Sequence, residues 1–226
     1  MTSPLLASID IYCERTSAEF WAEPVNALTN ISFLAAALIG WRAANRAGRL
    51  DGPMIVLIAL TASIGVGSFV FHTVATRWAA IADVVPIGLF IAAYLSIVLK
   101  RFFGLGWPLA ILLGAGVLPA GNALSALIPP AITGAASGST RYLPALLSLA
   151  VCGCLLAARR HPAGSAFLLA AGLFVVSLVF RSIDAPLCEA LPIGTHFLWH
   201  LLNGALLAWL LLTMVRQGQA RRDSRR

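Results

Sequence analysis

The stretch PMIVLIALTASIGVGSFVFHTVA, residues 53–75, runs for 23 positions without an aspartate, glutamate, lysine or arginine. A helix rises 1.5 Å per residue, so about 20 apolar residues cross a hydrocarbon layer of roughly 30 Å. This stretch therefore reads as one membrane-spanning helix, and it carries a histidine, His72, near its end. Six further runs of similar character flank it: Glu23 to Ala43, Ala80 to Leu99, Trp107 to Ile128, Tyr142 to Ala158, Ala163 to Phe180 and Ile193 to Val215. The fold class expected is all-α, an integral membrane bundle of seven transmembrane helices. The fifth run is the shortest, and Pro119 interrupts the fourth, where a kink is expected. A Gly/Ser/Pro-rich stretch from Pro129 to Thr140 reads as the longest loop.

Composition agrees. Of 226 residues, 59% are hydrophobic and 11% charged, with a mean hydropathy of +0.87. Soluble domains hold about 25% charged residues, so this chain is built for a low-dielectric solvent. Residues 1–226 are expected to form a single domain, with 1–22 as an outer N-terminal segment and 216–226 as a basic tail. Met1 to Tyr12 has neither the basic start nor the apolar core of a cleavable signal, so none is expected.

The net charge of +7 does not point to nucleic acid. Arg221, Arg222, Arg225 and Arg226 follow the last apolar run, as membrane anchors do, and no aromatic-interleaved basic surface accompanies them. With the N-terminus outside, twelve of the sixteen lysines and arginines fall on the cytoplasmic side, leaving only Arg15, Arg77, Arg141 and Arg181 outside. The positive-inside rule thus predicts the N-terminus out and the C-terminus cytoplasmic. Arginine supplies all but one of the basic residues, which suggests a high-GC bacterium and its inner membrane, with the site toward the periplasm.

Ionisable groups inside a bilayer are costly, so each asks for a partner and a reason. His161 sits beside Arg159 and Arg160 and reads as a loop residue. His72 lies near the outer end of the second span. His196 and His200 lie near the outer start of the seventh, one helical turn apart on one face. The topology therefore brings three imidazoles to one depth. Three protein ligands with a fourth position left for water is the pattern of a catalytic zinc. Asp83 and Ser68 fall at the same level. A carboxylate there can move a proton, and a hydroxyl can donate to an oxygen gaining charge. The plainer readings pair Asp83 with Arg77 and make Ser68 a packing residue beside Gly65 and Gly67.

Asp10, Glu14, Glu19 and Glu23 precede the first span. Chemistry alone favours complementing a helix dipole over ligating calcium. Cys152 and Cys154 read as small packing residues. Cys13 and Cys188 both fall outside, where a disulfide between them would tie the N-terminal segment to the loop before the seventh span.

Three blocks carry a family resemblance: YCERTSAEFWAEPVNALTN (12–30), GSFVFHTVATRWAAIAD (67–83) and THFLWHLLNGALLAW (195–209). Their SxxxH, Asp and HxxxH elements, in this order, resemble the alkaline ceramidases and the wider membrane hydrolase superfamily that includes the adiponectin receptors. The middle helices match only in character. The resemblance implies zinc bound by His72, His196 and His200, with Ser68 and Asp83 beside the metal. It implies hydrolysis of the ceramide amide, or that of a related N-acyl lipid, to an amine lipid and a fatty acid. It also implies a disulfide between Cys13 and Cys188, and a calcium ion held by Glu14, Glu23 and the main-chain carbonyl of Tyr12. Here the sequence departs from the pattern: Ile11 stands where an aspartate is expected, Asp10 is displaced by one, and Thr16 replaces an asparagine. The partners expected are a membrane lipid and the bilayer, with no nucleic acid. Two other classes compete. One is a seven-helix receptor or scaffold with zinc kept for structure; the other is a haem protein using two axial histidines.

Overall fold

The computed structural model describes residues 3–129 and 138–218. The tail arginines from Arg221 onward and most of the Pro129 to Thr140 loop lie outside the described residues. Among the described residues, eight α-helices carry the fold: α1 (Pro24–Thr29), α2 (Ile31–Arg46), α3 (Gly52–Val74), α4 (Arg77–Phe103), α5 (Trp107–Leu127), α6 (Leu143–Ala158), α7 (Ala163–Ser182) and α8 (His196–Gln217). With α1 and α2 taken as the single segment Pro24–Arg46, seven helical segments are long and apolar enough to cross a membrane. Among the described residues there is no strand, only an isolated bridge between Ser8 and Thr76.

Local chemistry sets the ends. Asp51 caps α3 by accepting the Met54 N–H at 3.0 Å, with Pro53 in the first turn, where its missing N–H costs nothing. The helix stops at Ala75, whose φ of 48° is left-handed, and α4 starts two residues later. It starts at Arg77 rather than Ala80, because the charged Arg77 that opens it lowers a hydropathy count over its first turn. Pro119 does not break the fourth span, which runs as one helix from Trp107 to Leu127. The seventh starts at His196 rather than Ile193. Gly194 takes a φ of +67°, and the Asp184 carboxylate accepts the N–H groups of Thr195 (2.6 Å) and His196 (2.9 Å), closing off the helix start. Asp184 thereby positions the first histidine of α8.

Large apolar side chains such as Ile55, Leu112, Leu169 and Val179 face outward, as a lipid-facing surface requires. Between helices in lipid, close packing through small residues does the holding. Gly67 shows this at the level of the histidines: a Cβ there would collide with the Ala82 carbonyl, so only glycine lets α3 and α4 approach so closely. α8 runs through the interior against α2 and α7, with Leu211 and Met214 almost fully buried.

The N-terminal segment is fastened over the histidine end. Ile9 donates to the Ala75 carbonyl at 2.8 Å and Arg77 to the Ala7 carbonyl at 3.1 Å. Cys13 is joined by a disulfide to Cys188, 175 residues away, and its N–H donates to Asp184 at 3.2 Å. Cys13→Ser is expected to cost about 2–5 kcal/mol. Thermal melts with and without reductant check this: the wild type should fall to the variant's melting temperature on reduction, and the variant should not respond.

Candidate metal centre

Three imidazoles meet at the covered end of the bundle. His72 is in the last turns of α3; His196 and His200 occupy the first two turns of α8. Each is at most 2% exposed. Ring centroids lie 4.7 Å apart for His72 and His200, 4.7 Å for His196 and His200, and 5.2 Å for His72 and His196. One ligand atom from each residue lies within 4.8 Å of the other two. This buried group can hold one metal ion.

What surrounds each ring decides which nitrogen faces inward. Glu23 sits 2.6 Å from His72 Nδ1, which leaves His72 Nε2 buried without a hydrogen-bond partner among the described residues. Thr29 Oγ1 lies 3.0 Å from His200 Nδ1, leaving its Nε2 for the centre. A hydrogen bond on the far nitrogen fixes tautomer and ring orientation, as metal-ligating histidines require. His196 is held differently, by stacking on Tyr12 at 3.6 Å between centroids, and its Nδ1 is also without a partner. Buried, unpartnered imidazole nitrogens aimed at one point are costly unless something binds them. The residues fit a divalent metal. They do not fit haem, since rings this close leave no space for a porphyrin between any two.

Asp83, in the second turn of α4, is half-buried, and its Oδ1 is shielded without a partner. Ser68, one turn before His72 on α3, is buried at 3% exposure. The α3–α4 contact at Gly67 sets the Asp83 main chain against the turn of α3 that carries Ser68.

Arg181 was legible only as an outer-loop charge, yet it belongs to the last turn of α7. Its guanidinium lies 5.5 Å from the Trp199 ring and 5.9 Å from the Tyr142 ring, a half-buried cation beside the histidine turn. Burial pushes the Tyr12 phenol up, and Arg181 pulls it the other way. Thr29, Asp184 and Arg181 carry no motif of their own; the one signal was a polar side chain bordering an apolar run.

Inward from the histidines lies an apolar cavity of about 90 Å³, lined by Phe33, Ile64, Phe90, Tyr94, Trp199 and Asn203 among others. Phe33 is 6.3 Å from the His200 ring, so the cavity begins beside the metal centre.

The residues assigned to calcium are otherwise engaged. Glu14 caps α1, accepting the N–H groups of Val25 (2.7 Å) and Asn26 (2.8 Å). Glu23 accepts from Arg15, from Asn26 Nδ2 at 3.1 Å and from His72. Burial works to raise the Glu23 carboxyl, but hydrogen bonds and charge from His72 and Arg15 outweigh it and hold it below the usual range. The Tyr12 carbonyl accepts the Arg15 N–H at 3.2 Å. This arrangement does not fit a calcium ion.

His161 lies away from this centre, in the α6–α7 turn, where its Nδ1 accepts the Ala163 N–H at 3.1 Å. Of the free cysteines, Cys152 is buried within α6 and Cys154 is exposed.

No curated protein matches the chain, and no solved structure matches it. The model of the Ceramidase family matches residues 5–225, nearly the whole length. A buried three-histidine group under a disulfide-fastened segment, in a chain that this family covers end to end, leads to one conclusion: the chain belongs to the ceramidase family.

Proposed function

We propose that the chain is a zinc-dependent membrane hydrolase that cleaves the amide of ceramide or a related N-acyl lipid, releasing an amine lipid and a fatty acid. The observation that carries this reading is the convergence of three buried imidazoles beside an unpartnered carboxylate oxygen, at the mouth of an apolar cavity.

An all-imidazole ligand set suits zinc. Bound there, zinc would lower the pKa of its water toward about 7 and polarise a carbonyl. His72, His196 and His200 are the ligands, with Glu23 and Thr29 holding two of the rings. Asp83 takes a proton from the attacking water as its oxygen bonds to the carbonyl carbon. As the C–N bond breaks, Asp83 returns that proton to the departing nitrogen. Ser68 donates to the carbonyl oxygen while negative charge develops on it. The cavity takes a hydrocarbon chain, which the lipid inserts from the side, between helices. The cation distribution along the chain supports a site on the non-cytoplasmic side, in a bacterium the periplasmic side, and a disulfide suits such an oxidising compartment.

The test is purified protein assayed for released lipids with a fluorescent ceramide and with an unbiased membrane lipid extract, alongside elemental analysis. Stoichiometric zinc, turnover lost on chelation and turnover regained with zinc are the expected results. Well-folded protein with zinc but no turnover on any lipid amide would favour a receptor or scaffold instead.

A further inference from the structure

The calcium-like corner of the N-terminal segment already contains a cation. Arg15 is 5% exposed, and its guanidinium is ringed by oxygens from four places. Its Nε donates to the Glu23 carboxylate. Its Nη1 donates to the carbonyls of Ser17 (3.0 Å) and Glu19 (3.3 Å), and its Nη2 to the carbonyl of His72 (3.0 Å). One carboxylate with several main-chain carbonyls is the kind of oxygen shell that calcium takes. Here those oxygens point at nitrogen donors on a side chain of the same protein.

We propose that Arg15 is the resident cation of this corner, cross-linking the N-terminal segment to α3 in the way a bound calcium ion would, and that the chain holds no calcium there. Two observations support this, together with the chemistry of the guanidinium. Both carboxylates that would ligate calcium are committed to protein donors, Glu14 to the first turn of α1 and Glu23 to Arg15, Asn26 and His72. Ile11 offers no side-chain oxygen, and its side chain is exposed. The planar fork of arginine serves several acceptors at once, which a lysine cannot reproduce. Arginine is also charged at every accessible pH, so the tie needs no ion from solution.

The experiment uses full-length protein in detergent. Equilibrium dialysis with radioactive calcium should show no stoichiometric binding, and the melting temperature should be the same in excess calcium as in a calcium-selective chelator. One tightly bound calcium per chain, or a wild-type melting temperature that rises with calcium, would overturn the proposal. Arg15→Ala leaves Glu23 buried without its cation, and a loss on the order of 10 °C in melting temperature is expected. Arg15→Lys keeps the charge but not the fork and should melt between the two. If Arg15→Ala does not fold, the lysine variant and the wild-type calcium titration still decide. An Arg15→Lys or Arg15→Ala protein as stable as the wild type counts against the assignment.

Discussion

His200→Ala is expected to abolish both metal content and lipid hydrolysis while leaving the helical bundle intact. Replacing a residue that merely orients a ligand costs about 10–100-fold in metal affinity or activity. Losing a ligand costs more, because the remaining two imidazoles no longer close around the ion. Thr29→Val serves as the graded control: Thr29 holds His200 Nδ1 at 3.0 Å, so its loss should fall in that 10–100-fold window rather than eliminate binding. The checks are elemental analysis, competition with a chromophoric chelator, and release of fatty acid from a fluorescent ceramide. His200→Ala protein that hydrolyses at the wild-type rate would remove this centre from the reaction.

Asp83→Asn is expected to lower kcat by about 10²–10⁴-fold with metal content unchanged. The asparagine is isosteric, and the close approach at Gly67 is made by main-chain atoms of Ala82 and Asp83, so the α3–α4 contact should survive. It cannot take a proton from water or return one to nitrogen. The split between an intact metal centre and lost turnover separates a proton-transferring group from one that only packs. A structural zinc protein would show no such split, since nothing in it turns over. Steady-state kinetics with parallel metal analysis reads both quantities from one preparation; retained kcat would return Asp83 to a packing role.

The seven helices long and apolar enough to cross a membrane, counted among the described residues, and the family were readable from the chain itself. Hydropathy sums along consecutive residues, and a run such as 53–75 needs no partner to declare that it avoids water. The His196 and His200 pair was readable for a related reason, because helical periodicity alone puts them on one face. What tertiary structure decided were the partnerships. Glu23 with His72 spans 49 residues, and Thr29 with His200 spans 171. Arg15 with the His72 carbonyl, Asp184 on the first turn of α8, and Arg181 over Trp199 are likewise contacts between separate segments. The same limit explains why Glu14 and Glu23 were open to two readings: a carboxylate offers identical oxygens to a calcium ion, a helix N-terminus or a guanidinium. Which donor arrives depends on how distant segments pack, and side-chain hydrogen bonds reach only about 3 Å, so no pattern along the chain can stand in for that placement.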